Sequence, residues 1–343
     1  MSEFDVRMAH EIREAPEAVR RQAGGLAAPV AELAARLARR PPQVVVTCAR
    51  GSSAHAATFG KHLIERFIGV PVAAAAPNIA SVYHRPLLLK DQLFLAVSQS
   101  GRSDDLIELA RSAKASGALA VAVVNAADSP LAAACDIVLP VAAGPELSVA
   151  ATKTFVATLA ALLRLVAAWT GDAELDAAID RLPDRLAAAT ELDWSAALDA
   201  LGDAVSMIMI GRGPTLAIAR EASLKLKETC NLHAEAFSSA EFRHGPMSLV
   251  STQYPVLMFM PTDVAADGMR TLAADLRRMG TALFVAEAGA AAAGRLPALD
   301  PDHAETDAVC LIQSFYAMAI GLAHRLGTNV DQPRHLQKIT RTL

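Results

Sequence analysis

The sequence predicts a duplicated α/β protein, two tandem domains each built on a parallel sheet with helices on its faces. Three observations lead there. Short β-branched or apolar runs such as "VVVTCA" and "LFLAVS" alternate with helical stretches, the pattern of βαβ units and a parallel sheet. The second half repeats the first: aligning Gly51 with Gly213 sets an offset of 162 residues, which also carries "LFLAV" (93–97) onto "PVLMF" (255–259) and "LAVAVV" (119–124) onto "TALFVA" (281–286). The length of 343 residues exceeds one typical domain, and 53% apolar residues can fill two sizeable cores.

In chain order, residues 1–40 read as a helical arm, with a break expected near Pro16 inside "AHEIREAPEAVRRQ" because proline lacks the N–H that a helix needs. Residues 41–170 form the first domain. After "RRPPQ" comes the strand "VVVTCA", then "RGSSAHAATFGKHLIERFIG", where Gly and Ser-Ser open a helix that stops at Gly69. "PVAAAA" follows, and "LFLAVSQSGRSDDLIELARSAKASGA" repeats strand, serine-rich turn and helix. "LAVAVVN" and "DIVLPV" add strands, and 149–169 reads as a long helix. Residues 171–200 are a polar, Asp-rich helical connection, 201–325 the second domain and 326–343 a C-terminal tail.

Composition narrows the function. A net charge of −4 and 4% aromatics supply neither the basic surface nor the stacking platforms of a nucleic-acid binder. Cys48, Cys135, Cys230 and Cys310 form no CxxC pair and read as buried thiols of a reducing compartment. The charged start "MSEFDVRMAHEIREAPEAVRRQ" is no signal peptide. The apolar stretch "FVATLAALLRLVAAW" is bracketed by Lys153, interrupted by Arg164 and too short for a bilayer. The expectation is a cytoplasmic protein bound to neither membrane nor nucleic acid.

Ligands of parallel α/β domains sit at the carboxyl ends of the strands, where Ser52 and Ser53 fall in one turn and Ser98, Gln99, Ser100 and Ser103 in another. Their hydroxyls, Gly101 and the following helix N-termini make an anion cradle, with phosphate the commonest occupant. Serines in one such turn serve equally well as helix caps. Two such turns on neighbouring βα units favour phosphate. There is no GxxxxGK[ST] for a P-loop and no GxGxxG for a dinucleotide.

Further on, "KLKETCNLHAEAFSSAEFRHGP" (225–246) concentrates charge in an apolar chain. Glu221, Leu224, Lys225, Glu228 and Leu232 share one helix face. A half-buried Glu228 beside Lys225 and Lys227 would suit proton transfer, although the spacing alone favours ordinary ion pairs. His244, on a loop before Gly245-Pro246, is an acid/base candidate. His233 and Glu235 read as strand or turn neighbours, and without HExxH no metal site is expected.

The motifs "SQSGRSDD", "VAATKTF", "GRGPTLAIAREASLKLKETCNLHAEAFSSAEFRHGP" and "DQPRHLQKIT" together resemble the sugar-isomerase (SIS) family. They are similar to the isomerase half of the glutamine–fructose-6-phosphate aminotransferases, and the likeness covers essentially the whole chain. The resemblance implies two tandem SIS domains, each a flavodoxin-like three-layer α/β/α sandwich. The chain starts Met-Ser and enters the isomerase arm at once, so the expectation is a protein without its own glutaminase. It looks most like the SIS-type glucosamine-6-phosphate deaminases.

The resemblance also implies roles. The phosphate would rest on Ser98, Gln99, Ser100 and Ser103, with Ser52, Ser53 and Val149 lining the sugar site. Glu228 would shuttle a proton between C2 and C1, and Lys225 would stabilise charge beside it. His244, donated across a homodimer interface, would open the pyranose ring, and Lys338 of the tail would close over the sugar. No cofactor or metal is implied. Three departures from the family pattern bear on the sugar: Ala151 for serine in "VAST", Arg102 for glutamate in "SQSGET", and Ala240 for glycine. Galactosamine 6-phosphate or a fructosamine-linked amino acid phosphate would fit a similar pocket. An isomerase fed by free ammonia or a partner glutaminase, and a sugar-phosphate sensor without turnover, are the other readings.

Overall fold

The computed structural model describes residues 6–338. Helix α1 (Arg7–Arg39) leads into β1 (Val45–Cys48), α2 (Gly51–Phe67), β2 (Val72–Ala74), α3 (Asn78–Ser81), β3 (Leu93–Ser98), α4 (Asp104–Ala115), β4 (Leu119–Val124), α5 (Pro130–Ala134), β5 (Ile137–Pro140) and α6 (Lys153–Thr170). Then come α7 (Ala173–Thr190), α8 (Leu198–Leu201), β6 (Ser206–Gly211), α9 (Thr215–Cys230), β7 (His233–Ser238), α10 (Ser239–Arg243), β8 (Pro255–Phe259), α11 (Ala266–Arg278), β9 (Ala282–Glu287), β10 (Arg295–Pro297) and α12 (Ala304–Arg325). Of the expected tail, residues 339–343 lie outside the described residues, as do residues 1–5 of the arm.

The chain forms two compact units. One takes Glu17–Glu146 and Lys153–Asp180 with the tail from Gln337; the other takes Leu147–Thr152 and Arg181–Leu336 with the residues up to Pro16. Each holds a five-stranded sheet, ordered β2-β1-β3-β4-β5 and β10-β9-β8-β6-β7, and every strand pairing is parallel. The two orders are the same walk, with β6 in the place of β1, β7 in that of β2 and β8 in that of β3. The 162-residue offset holds for the first two matched strands, where Val46 faces Phe94 and Ile208 faces Val256. It slips by one at the third: Leu93 faces Leu119 whereas Pro255 faces Ala282, so 119–124 corresponds to 282–287 rather than to the expected 281–286. Asp91 and Gln253 both adopt left-handed backbone, at φ 66° and 63°, and both donate their N–H to a turn glycine, Gly117 and Gly280.

Each core is what an apolar strand run demands when both faces are covered. In the first unit Val46, Phe94, Ala96, Leu106, Leu109 and Ala120 pack together; in the second Ile208, Val256, Met258, Met269 and Leu276 do. By length and composition α6 and α12 could each cross a bilayer, but both are largely buried within the protein.

Helix α1 is unbroken at Pro16, contrary to the sequence expectation. Proline removes the N–H that would bond the carbonyl of Ile12 one turn earlier, and a buried carbonyl without a donor is costly. The structure supplies a donor from far along the chain: Gln313 Nε2, buried on α12, donates to Ile12 O at 2.8 Å and to Thr190 Oγ1 at 2.9 Å. Gln313→Leu is expected to cost about 1–3 kcal/mol in urea unfolding. Adding Pro16→Ala should recover part of it, because residue 16 then donates to Ile12. A loss below about 0.5 kcal/mol, the range of ordinary surface changes, would contradict this account of the helix.

Candidate functional site

In the first unit the chain places β2 on one side of β1 and β3 on the other. The β1/β3 boundary is therefore where the strand order reverses, the place at which open α/β sheets take ligands. Both serine turns flank it. Ser52 and Ser53 lie in the first turn of α2, after β1, and Ser98 ends β3. Ser98 Oγ accepts from Gly101 N at 3.0 Å and Ser100 Oγ from Arg102 N at 3.3 Å. Ser103 occupies the N-cap of α4, yet its hydroxyl makes no cap bond, and α2 likewise has no side-chain cap. At α4 the N–H of Leu106 is taken by Asp105 Oδ1 at 2.8 Å; the helix-start N–H groups that no side chain takes are suited to an anion.

Two features hold the cradle in shape. Gly101 has φ +62°, and a Cβ there would lie 2.0 Å from Ser129 Oγ, so conformation and space both demand glycine. Behind the turns, buried Asp105 of α4 accepts from Nε and Nη2 of Arg50, the residue before α2, at 3.1 and 2.7 Å. This charge-assisted pair ties the two turns together. Cys48, at the end of β1, is no nucleophile: burial, reinforced by Asp105, pushes its thiol up to about 12.

The corresponding turn of the second unit has a different purpose. Gly213 keeps the left-handed backbone of Gly51, at φ +56° and +52°, but Thr215 Oγ1 donates inward to Phe259 O at 2.8 Å and accepts from Arg212 N at 3.0 Å. The charged residues predicted from the sequence lie further along α9, which packs on β6, β7 and α12 and ends where Asn231 turns left-handed. Lys225 is fully buried. It pairs with Glu228, one turn ahead, and lies 3.4 Å from equally buried Glu221, one turn behind. A buried ammonium is stable only when paired, so the three charges form one unit. Glu228 alone of the three reaches the surface, at 19% exposure. Lys227, expected beside it, is exposed, because a residue one position away points off the shared helix face.

The remaining predicted residues are placed as follows. His244 caps the C-terminus of α10, its N–H donating to Glu241 O at 2.9 Å. It is exposed, and among the described residues no hydrogen bond or ion pair joins it to Lys225 or Glu228. His233 and Glu235 stand in β7. Val149 is half-buried in a loop where the sequence reading began a helix; α6 starts at Lys153. That loop is held by buried Glu11 of α1, whose carboxylate accepts from the N–H groups of Leu147 and Ser148. Asp331 accepts from Ser148 Oγ at 3.3 Å and from Arg7 and Met8 N–H at 2.9 and 3.1 Å, capping α1 from the tail. Lys338 donates to Glu146 at 3.3 Å.

Sequence reasoning missed Arg50, Asp105, Glu11, Glu146 and Asp331. Each acts through a partner far along the chain, and periodicity carries no signal of such pairs. Glu221 was legible, since it stood on the same stripe as Lys225 and Glu228.

Comparison with known proteins adds the family. The SIS domain model matches residues 40–168 and 200–286. A glutamine–fructose-6-phosphate aminotransferase of Symbiobacterium thermophilum is 34% identical over 313 residues, 86% of this chain and 51% of that protein. The chain thus spans about half the length of the curated relatives it matches. A crystal structure of a proposed phosphosugar isomerase from Silicibacter pomeroyi is 45% identical with a TM-score of 0.90, covering 95% of this chain and all of that one. The C-terminal domain of the glucosamine–fructose-6-phosphate aminotransferase of Francisella tularensis superimposes with a TM-score of 0.84 at 25% identity, covering 96% and 99%.

Replacing Gly101 tests the cradle. Gly101→Ala is expected to cost about 2 kcal/mol or more in urea unfolding and to weaken inorganic phosphate binding measured by calorimetry. Unchanged stability and affinity would contradict the role given to this turn.

Proposed function

The chain belongs to the SIS domain family, and from that premise we propose that it is an amino-sugar phosphate isomerase that deaminates glucosamine 6-phosphate to fructose 6-phosphate. The observation that carries the reading is Glu228: a carboxylate held on one side by a buried lysine and open to the surface on the other.

In this reading the serine turns hold the phosphate and His244, from a second copy of the chain, opens the pyranose ring. Glu228 then removes the C2 proton from the open-chain aldehyde and returns it at C1. One carboxylate serves both carbons because the intermediate between them is planar. Lys225, the ion-pair partner of Glu228, stabilises negative charge beside the reacting carbons through both transfers. The C1 oxygen takes up a proton as the amine nitrogen gives one up, so the aldehyde becomes a primary alcohol and the amine a C2 imine. Water adds to the imine, and ammonia leaves with the nitrogen's electron pair. Lys338 stabilises the developing charge near C1 and C2.

A second reading draws on the names of the relatives, which are aminotransferases. The same residues would run the steps backwards, aminating fructose 6-phosphate with ammonia. Ala151 and exposed Arg102 bear on which amino sugar fits rather than on the proton transfer.

Purified protein is expected to release ammonia and fructose 6-phosphate from glucosamine 6-phosphate. Glu228→Gln should lower kcat by roughly 10²–10⁴-fold, the usual worth of a general base, with KM changed only a few-fold. Binding without release by the native protein would overturn the deaminase assignment, and near-normal turnover by Glu228→Gln would overturn the assigned base.

A further inference from the structure

We infer that Glu146 is a positioning residue that seats the tail lysine. The inference rests on the reading that Lys338 acts on the sugar, and it concerns how the fold delivers that side chain. Glu146 lies within the family match but outside the four stretches on which the sequence resemblance rests. It follows β5 in the stretch "AAGPELS", and its side chain is fully buried.

A buried carboxylate must be matched by donors. Glu146 Oε1 accepts from Thr154 N at 3.1 Å, and Oε2 accepts from Thr154 Oγ1 at 2.5 Å and from Lys338 Nζ at 3.3 Å. Thr154 lies in the first turn of α6, an 18-residue helix, so the carboxylate also meets the positive end of the helix dipole. It thus presents one oxygen, Oε2, to a lysine 192 residues away. That segment needs an anchor. Beyond α12 the described tail contains no helix or strand, and between Pro333 and Lys338 it is mostly exposed.

A lysine side chain carries about 2 kcal/mol of rotamer entropy. Holding its ammonium on Glu146 makes that loss part of folding, before any ligand arrives, which is the gain that preorganisation gives an active site. The bonds of Glu146 to Thr154 fix the start of α6. Two roles therefore meet in one residue, and they can be separated.

The test combines limited trypsin digestion with kinetics on the full chain. Exposed Arg334 precedes Lys338, and its cleavage reports how firmly the tail is held. In Glu146→Gln, which keeps the side-chain shape and loses the charge, cleavage after Arg334 should accelerate roughly tenfold, as expected for loss of a charge-assisted bond. Lys338→Gln should accelerate it equally, and the double variant no further. Thr154→Val should lower stability without freeing the tail. With glucosamine 6-phosphate, Glu146→Gln should lower kcat and leave KM within a few-fold. Native-like cleavage in Glu146→Gln, or an accelerated tail in Thr154→Val equal to that in Glu146→Gln, would overturn the inference. The cleavage result stands whatever the sugar proves to be, so failure of the anchor and failure of the deaminase reading are told apart.

Discussion

The second unit is organised by one costly interaction, the burial of Lys225 between Glu221 and Glu228. Removing an ammonium from water costs several kcal/mol even after relaxation, and only close carboxylates with good geometry offset it. The spacing of one turn behind and one turn ahead secures both partners from the same helix. The register of α9 is therefore constrained: rotating it would leave the lysine unpaired or drive leucines out of the core. The left-handed Asn231 ends the helix shortly after Glu228, which keeps that carboxylate near the helix end and part-exposed. Replacing Lys225 by an apolar residue would relieve the desolvation cost, and the proposed function gives the buried charge its reason.

Duplication explains how a single scaffold can carry the two kinds of chemistry that the proposed function needs. Both units share strand order and the left-handed turn after the first strand. In the first, the turns keep serines and helix starts whose N-cap side chains make no cap bond, a surface suited to an anion. In the second, a threonine hydroxyl closes the equivalent turn on itself, and the helix that follows bears the charges. The fold thus provides a ligand position at the strand ends, and sequence divergence decides what each copy does there. The proposed function requires both: a phosphate grip and a proton carrier.

Much of this was legible in the residues. Apolar strand runs are determined by local composition, and the repeat offset makes three of them check one another, the third to within one residue. The stripe of Glu221, Lys225 and Glu228 follows from helical periodicity alone, but its burial does not, because burial depends on what α12 and the sheet place around it. Pro16 shows the same limit from the other side: the local rule predicts a break, and Gln313, nearly the length of the chain away, removes the reason for it. Glu11, Arg50, Asp105, Glu146 and Asp331 were illegible for the same reason. Each fixes a loop or turn through a long-range pair, and no period in the sequence marks such a pair.

The central claim is that a surface-reaching carboxylate moves the C2 proton before ammonia leaves. The most direct measurement uses glucosamine 6-phosphate deuterated at C2, with the product read by NMR. The account predicts fructose 6-phosphate from which the C2 deuterium has departed, to C1 or to water, with slower turnover than for the unlabelled sugar. A deaminated product that still carries deuterium at C2 would contradict it.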